Sequence, residues 1–222
     1  KKKVKDLAEA LEVKQGGLSL RLRRLQEAGL AAKTGRSFYI NDRLLRYWLF
    51  YVFRRRWEAM EIDPARQREQ FRAEFARAAD DFRLQYSKEM PSRIMELFSC
   101  FDDEAFHSGG RQYKLPVFET IAAEKFGPVP GADFDVIRAL TLSGDVWVAL
   151  LKDGDIREQD LSAAVAQIRE RFARPRRCIL ISLNDLDETV RVRALQERMW
   201  IWNENELRTL LNIYNKPYIA AP

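Results

Sequence analysis

Basic side chains that could bind phosphate are concentrated near the start of this 222-residue sequence. Residues 1–58 hold 15 Lys and Arg against 6 Asp and Glu, a balance of +9, whereas residues 59–222 hold 23 against 27, a balance of −4. Guanidinium and ammonium groups donate hydrogen bonds to phosphate oxygens and neutralise their charge. The asymmetry therefore predicts a polyanion contact in the N-terminal part, with a merely solvated basic face as the alternative.

The composition limits other kinds of chemistry. A single histidine, His107, excludes a histidine-rich metal site and argues against a Ser-His-Asp triad. The two cysteines, Cys100 and Cys178, make no disulfide framework and fit a reducing cytoplasm, which is the predicted location. No apolar run approaches the ~20 residues of a membrane helix and the start does not resemble a signal peptide, so no membrane partner is expected.

The basic residues fall on a predicted succession of helix, turn, helix and hairpin. Apolar spacing predicts one helix over 4–11 and a second over 18–28 that ends at Gly29. A strand, tight turn and strand follow over 30–40. This order is the second half of a winged helix-turn-helix, predicted as domain 1–42 with its first helix missing. Because the sequence starts with Lys1 rather than Met, we expect this chain to be the C-terminal part of a longer protein.

Double-stranded DNA is the polyanion that this order of elements fits. The second helix would enter the major groove, and the hairpin would lie along the phosphates. The residues predicted to bind nucleic acid are Arg21, Arg23 and Arg24 on the helix and Lys33 and Arg36 on the hairpin. The alternative left open is a winged helix that contacts protein, whose basic residues form a solvated face.

An aromatic segment follows the hairpin. Asn41 or Asp42 can cap a helix there. Its aromatic residues are Tyr47, Trp48, Phe50, Tyr51 and Phe53. A helix that is apolar nearly all round is expected to be buried on more than one side, between domains or between protomers, so an oligomer is compatible with the sequence.

Residues 18–54 resemble the segment after the nucleotide-binding core in archaeal-type P-loop ATPases of the STAND class. In that family a winged helix ends in a strand, an Asp and an aromatic helix of the type D-x-L-x-R-F/Y-W. The matching residues are Asp42, Leu44, Arg46, Tyr47 and Trp48. The resemblance implies a regulatory C-terminal region whose partner is its own ATPase domain. No G-x-x-x-x-G-K-[ST] occurs in this sequence, so ATP and Mg²⁺ would bind upstream of Lys1 and no cofactor is expected in this fragment.

The rest of the sequence predicts a helical connector over 43–112 and an α/β domain over 113–222. In the connector, Pro64 begins a helix to about Tyr86, Pro91 lies in the first turn of the next helix, and 102–113 is a loop. In the C-terminal domain, helices are predicted over 114–126, 160–172, 188–196 and 204–214, and strands over 134–142, 146–152, 178–183 and 199–202. The predicted fold class is mixed: a truncated winged helix-turn-helix, a helical connector and an α/β domain.

This C-terminal order of elements resembles the restriction-endonuclease-like fold. The resemblance implies an acidic residue on the first hairpin strand and Glu-x-Lys on the next, with carboxylates that hold Mg²⁺ and a lysine that orients the attacking water. Asp133 and Asp135 match the acidic position and Lys152 matches the lysine. The glutamate position falls at Leu150, which cannot bind a cation, and Glu119 could supply a further carboxylate.

Three functions remain as hypotheses. The first is a DNA-associating regulatory region of an ATPase, with a non-catalytic nuclease-like domain, and Leu150 favours it. The second is an active Mg²⁺-dependent nuclease in which Asp135, Lys152 and Glu119 form a migrated catalytic site, with Asp135 as metal ligand. The third is a stand-alone winged-helix transcription regulator with a ligand-sensing C-terminal domain.

Overall fold

The chain forms two compact units. The computed structural model describes residues 2–54, 64–108, 110–124, 133–152, 154–172 and 174–218. The N-terminal unit consists of Lys1–Ser87 and Asn212–Pro217, and the α/β unit consists of Lys88–Leu211 and Tyr218–Pro222. The predicted domain borders at residues 42 and 112 therefore lie inside these units.

The N-terminal unit begins with a three-stranded sheet and two helices. The elements are β1 (Lys2–Lys3), α1 (Val4–Ala10), α2 (Gln15–Glu27), β2 (Ala31–Thr34) and β3 (Ser37–Ile40). The strands are antiparallel in the order β1–β3–β2, and Gly35 at the hairpin tip has a φ of 54°, which glycine adopts without steric cost. The predicted helix–turn–helix–hairpin order is present, and β1 is a strand that the sequence analysis missed.

A small core fixes the orientation of α2. Leu18 and Leu22 lie four residues apart and are buried together with Ala8 of α1. Val4 of α1 and Phe38 of β3 pack against this group. Burial of one leucine side chain contributes about 2 kcal/mol, so these contacts decide which face of α2 points away from the unit.

The aromatic segment is helical but exposed. Helix α3 (Arg43–Trp48) begins with the Asp42 carboxylate as cap, whose Oδ1 accepts a hydrogen bond from the Leu45 backbone N–H at 2.9 Å. It continues as a π-helical segment, Leu49–Phe53. Within the described chain no residue of either segment is buried and Leu44 is 81% exposed, so burial between domains is not observed. Burial between protomers stays a prediction.

Helix α4 (Pro64–Tyr86) and the segment Asn212–Pro217 complete the N-terminal unit. The guanidinium of Arg46 donates to Asn215 Oδ1 at 2.8 Å and to Asn212 Oδ1 at 3.0 Å. The Asn212 amide in turn donates to Asn41 Oδ1 at 3.1 Å. These bonds join residues about 170 positions apart in sequence, a separation that no local pattern encodes.

The α/β unit contains a five-stranded sheet. Its elements are α5 (Met90–Phe98), β4 (Ala105–Ser108), β5 (Arg111–Lys114), β6 (Phe118–Glu124), β7 (Asp135–Thr141), β8 (Val146–Leu151), α6 (Glu158–Arg171), β9 (Arg177–Ile181), α7 (Glu188–Gln196), β10 (Trp200–Trp202) and α8 (Glu204–Ile213). The last two residues of α8 belong to the N-terminal unit. The strand order is β10–β9–β8–β7–β6. Strands β6, β7 and β8 are antiparallel, whereas β8, β9 and β10 are parallel. The mixed α/β class is confirmed.

Two predicted elements of this unit are wrong. The predicted loop over 102–113 contains the hairpin β4–β5, in which Ala105 pairs with Lys114. The predicted helix over 114–126 is instead the end of β5 and strand β6, and its last two residues lie outside the described ranges. The backbone of β6 pairs with β7 from Phe118 to Glu124, so tertiary pairing overrides a helix-like spacing of apolar residues.

Both faces of the sheet are covered. On one face, Val136, Val148, Leu150 and Leu180 pack against α6 and α7. On the other face, an aromatic layer includes Phe98 of α5, with ring centroids 5.5 Å from Phe118 and 6.0 Å from Trp202. This layering explains why β8 reads as a continuous apolar run. None of the helices in the described ranges has the length and apolar character needed to cross a membrane.

Candidate functional site

The outward face of α2 carries arginines around an exposed leucine. With Leu18 and Leu22 buried, a rotation of about 100° per residue places Leu20 on the opposite side of the helix, where it is 55% exposed. Arg23 and Arg24 flank Leu20 on this surface, and both are exposed. Arg23 and Arg24 therefore point away from the core of their unit, whereas Arg21, about 80° around the helix from the buried face, is exposed at the side of the helix.

The arginines of α2 differ in how they are held. The Arg23 Nε lies 3.1 Å from Glu27 Oε1, in an exposed i,i+4 pair that contributes only a few tenths of a kcal/mol. The side chains of Arg21 and Arg24 make no ion pair or hydrogen bond within the described part of the chain. Two guanidinium groups are therefore available to an external anion without the loss of an internal contact.

Cations from β1, α1 and the β2–β3 hairpin meet at one concavity. Lys3, Lys5, Lys33 and Arg36 line one concavity of about 360 Å³, together with the single acidic residue Asp6. Lys33 is exposed, and its Nζ lies 5.8 Å from the centre of the Phe38 ring across the hairpin. Four positive charges around one small space favour the binding of an anion of phosphate size.

Two residues of this concavity, Lys3 and Lys5, were not predicted from the sequence. Lys3 pairs with Ser37 in the antiparallel ladder of β1 and β3, which brings the N-terminal lysines to the hairpin tip. The available signal was the basic run at the start of the chain, but a strand of two residues is too short to be predicted from periodicity. Lys3 and Lys5 therefore join the predicted hairpin cations, Lys33 and Arg36.

In the α/β unit, Lys152 follows β8 and forms an ion pair with α6. Its Nζ lies 2.6 Å from Asp160 Oδ2, with side-chain exposures of 17% and 10%. The same Nζ lies 5.6 Å from the centre of the Phe134 ring. The backbone N–H of Arg157 donates to the same Asp160 oxygen at 3.3 Å. The lysine therefore joins the end of a central strand to the first turn of a helix.

The environment of Asp160 stabilises its charged form. Burial by itself would raise the pKa of this carboxyl, because a low dielectric disfavours the anion. The hydrogen bonds from Lys152 and the Arg157 backbone, and the positive charges of both residues, outweigh burial and hold the pKa below its ordinary value. The carboxylate is consequently ionised near neutral pH and acts as a structural partner of Lys152.

The predicted catalytic residues are not brought together. Asp135 pairs directly with Leu151, so its side chain lies on the sheet face opposite to that of Val136. The Lys152 ammonium lies on the Val136 face, where it contacts Phe134 and α6. Glu119 lies in an irregularity of β6 beside the far end of β7, five to six residues from Asp135, or about 17–20 Å along the strand.

The metal site that the nuclease hypothesis needs is not formed by these residues. No group of three or more His, Cys, Asp or Glu within the described ranges could hold a metal ion, so Asp135 is not part of such a group. Leu150 is fully buried in the core between the sheet and α6. The geometry therefore gives no support to a migrated site built from Asp135, Lys152 and Glu119.

Other polar groups at the carboxyl edge of the parallel strands are used in hydrogen bonds within the α/β unit. Asn203 follows β10, and its Oδ1 accepts from the backbone N–H of Asn205 at 2.8 Å. Glu206 accepts from the Asn203 backbone N–H at 3.2 Å and from the Ser108 hydroxyl at 3.0 Å. Ser182 follows β9 and donates to the Asn184 carbonyl at 2.8 Å. These contacts cap helix α8 and close a turn, and they satisfy the side chains without a ligand.

Comparisons with known proteins add little to this description. Neither the models of protein families nor the curated protein sequences give a match to the chain. Among solved structures, that of EndoMS in its apo form is similar to 39% of this chain and 39% of that chain, with 16% sequence identity and a TM-score of 0.29. The chain thus spans well under half of that protein, and a likeness of this extent carries no argument about activity.

Proposed function

We propose that the N-terminal unit binds double-stranded DNA through α2 and the β2–β3 hairpin, and that the α/β unit is a non-catalytic binding module. In this function α2 lies in the major groove, with Arg21, Arg23 and Arg24 on phosphates or guanine edges. The hairpin cations Lys33 and Arg36, joined by the lysines of β1 and α1, bind the adjacent backbone.

The observation that carries this proposal is the position of the buried face of α2. Because Leu18 and Leu22 pack on α1 and β3, the surface with the arginines and the concavity with four cations are both exposed on the same unit. The hypothesis of a winged helix that contacts protein would explain the exposed Leu20, but an apolar side chain between arginines also fits a thymine methyl group in the major groove.

Two glycines in the first turn of α2 support close approach to a backbone. An added Cβ at Gly16 or Gly17 would meet no atom within 4 Å, so neither glycine is required by packing within the described chain. Glycine lowers helix stability relative to alanine. Because glycine has no side chain, it also lets the start of the helix come close to a phosphate backbone, which offsets this cost.

Binding of a labelled duplex of about 20 base pairs to the full chain, followed by fluorescence anisotropy at several salt concentrations, tests this function. We expect the variant R21A/R24A to weaken binding by at least about tenfold at low salt and to lower the slope of log K against log salt by about 2, since each lost phosphate contact removes nearly one unit. The hairpin variant K33A/R36A is expected to show a similar loss.

The matched control is R77A/R191A, which also removes two exposed arginines, one from α4 and one from α7. This control keeps the total charge of the test variants but leaves α2 and the hairpin intact. Equal losses in test and control variants would indicate non-specific attraction and overturn the assignment of the interface. Unchanged affinity in R21A/R24A would overturn it as well.

The larger context of the proposal is that this region regulates a P-loop ATPase to which it is joined. Its support is the resemblance of residues 18–54, from the hairpin through Asp42 and the aromatic helix. The coding region upstream of Lys1 tests it: a strand followed by G-x-x-x-x-G-K-[ST] would establish a nucleotide-binding core for ATP and Mg²⁺. A start codon directly before Lys1 would instead leave the stand-alone regulator, with the same DNA-binding surface.

A further inference from the structure

A groove of about 840 Å³ lies within the N-terminal unit, away from α2 and the hairpin. One wall is α3 with the π-helical segment, the other is α4, and the segment Asn215–Pro217 contributes to the lining. The small side chains Ala78 and Ala79 of α4 lie between larger aromatic residues. The groove therefore runs between helices, and the short side chains of Ala78 and Ala79 leave room for the backbone of a bound segment.

The apolar lining is exposed to an extent unusual for a core. Phe50 is 54% exposed, Phe75 is 47% exposed and Phe82 is 51% exposed, and Leu44 at 81% adds an aliphatic side chain. Phe75 and Phe82 lie seven residues apart on α4, so they share one side of that helix. A contiguous set of half-exposed aromatic and aliphatic side chains marks an interaction surface.

The charged groups that line the groove are mostly basic. Among the described lining residues, Arg43, Arg46, Arg83 and Lys216 contribute positive charge, and Asp81 contributes the one carboxylate. Arg83 also contacts Asp80 at 3.1 Å, in a pair whose side chains are 78% and 71% exposed and which is therefore weak. The groove combines an apolar lining with a positive rim.

Tyr47 lines the groove and holds a polar atom beneath its surface. Its hydroxyl oxygen is buried and has no hydrogen-bond partner within the described part of the chain. Burial raises the pKa of the Tyr47 phenol, with a smaller contribution from Tyr51, so the group is a neutral donor at physiological pH. A carbonyl or carboxylate oxygen of a ligand could reach this donor only after movement of the side chains that cover it.

We propose that this groove binds an amphipathic helix of a partner protein whose apolar side chains enter between α3 and α4 and whose acidic side chains meet the positive rim. This mode needs two flanking helices, an apolar lining and complementary charge, and the groove supplies all three. The DNA-binding surface uses different residues, so this interaction is independent of the proposed function.

The packing of the aromatic rings favours a protein segment over single-stranded nucleic acid. Tyr47 lies edge-on to Phe75, with centroids 5.6 Å apart, and its ring is 4.5 Å from Tyr51. Phe50 in turn meets Tyr51 edge-on at 4.8 Å. Rings that pack against one another in this way have fewer free faces on which bases could stack.

The test uses the full chain and a designed helical peptide of about 18 residues that carries a fluorescent label. The peptide has Leu at i, i+4, i+7 and i+11, Glu at four of the remaining positions and Ala at the others. The control peptide has Lys in place of every Glu. We expect anisotropy to show the Glu peptide binding at least about tenfold more tightly than the Lys peptide. Equal affinity for the two peptides, or no binding of either, would overturn the proposal.

Single substitutions assign the binding to the groove. F82S and L44S are each expected to weaken binding of the Glu peptide by about tenfold. The control L142S removes a leucine that is 71% exposed in the other unit, and we expect it to leave the affinity unchanged. R83E is expected to reduce the preference for the Glu peptide over the Lys peptide. R77E changes an arginine on the same helix but outside the groove lining, and we expect it to leave this preference unchanged.

Two further outcomes would each overturn the proposal. Displacement of the peptide by oligothymidylate, lost in F82S, would assign the groove to nucleic acid. Concentration-dependent dimerisation that F82S abolishes, measured by sedimentation, would assign it to a second copy of this chain. R21A/R24A is expected to lose duplex binding and to keep peptide binding, because its substitutions lie outside the groove. The DNA-binding proposal and the groove proposal can therefore be disproved independently of each other.

Discussion

Lys152 and Asp160 form a nearly buried ion pair, with 2.6 Å between Nζ and Oδ2, that ties the end of β8 to the first turn of α6. The lysine that the nuclease resemblance assigns to orient a water molecule is thus engaged in holding a helix. Its ammonium lies on the sheet face opposite to the Asp135 side chain, since Asp135 pairs in register with Leu151. The contact gives Lys152 a structural role that needs neither metal nor substrate.

Removal of Lys152 is expected to destabilise the α/β unit. K152A leaves the Asp160 carboxylate nearly buried without its cation, so we expect a loss of about 3 kcal/mol in the free energy of unfolding, measured by urea denaturation. D135N changes an exposed side chain and is expected to remain within about 0.5 kcal/mol of the parent. Equal stability of K152A and the parent protein would show that the pair contributes nothing.

Acid is expected to weaken the same contact. The folded-state pKa of Asp160 is lowered, so its stabilisation is present above the unfolded pKa of about 3.9 and is lost as pH falls through the lower folded value. The stability difference between the parent protein and D160N should therefore be largest near neutral pH and shrink below about pH 4. Urea titrations at stepped pH measure it, and a difference that grows in acid would contradict the assignment.

Alanine in the first turn of α2 is expected to separate stability from DNA binding. G16A and G17A should each raise stability by about 0.5 kcal/mol, because both positions are helical and open. Each should also weaken duplex binding, because the added methyl group lies on the surface assigned to DNA. Thermal unfolding and anisotropy measure the two effects.

Gly29 provides the control for these substitutions. Its φ of 71° is in the left-handed region, so G29A should lower stability by about 1 kcal/mol although the space beside it is also open. If G16A and G17A strengthened DNA binding in proportion to stability, the close approach of α2 to a phosphate backbone would be ruled out.

Cys178 is expected to be unreactive in the folded protein. Burial raises the pKa of its thiol to about 11, with a partly opposing effect of the Arg177 charge. At about pH 8 only about one molecule in a thousand carries the thiolate, which is the reactive form. In a C100S variant, native protein should react with iodoacetamide far more slowly than urea-unfolded protein, followed by mass spectrometry. Similar rates in both states would show that Cys178 is exposed.

The elements with strong local signals were predicted correctly. Helix α7 spans Glu188–Gln196, as predicted, and α4 begins at Pro64 and ends at Tyr86, because proline and apolar periodicity act over a few residues. Strand β6 was predicted as a helix because its pairing with β7 involves residues 12 to 23 positions away, from Glu124–Val136 to Phe118–Thr141. Spacing within the segment contains no information about that partner.

In the candidate sites, too, residues close in sequence could be predicted and residues brought together by distant contacts could not. The arginines of α2 and the cations of the hairpin could be predicted because they belong to a continuous stretch of about 20 residues. Lys3 and Lys5 were missed because only the β1–β3 ladder brings them to the hairpin. The catalytic cluster was predicted from strand order alone, and the register of β7 against β8 decided that Asp135 and Lys152 point to opposite faces.

The sequence by itself determined the excess of positive charge at the N-terminus, most of the helices and the apolar strands, since each depends on residue type and short-range periodicity. Only the tertiary structure decided that Arg46 is held by Asn212 and Asn215, that the aromatic helix lines an open groove, and that Lys152 belongs to Asp160. These outcomes depend on contacts between distant segments, whose energies are comparable to local preferences and are settled only when the whole chain packs.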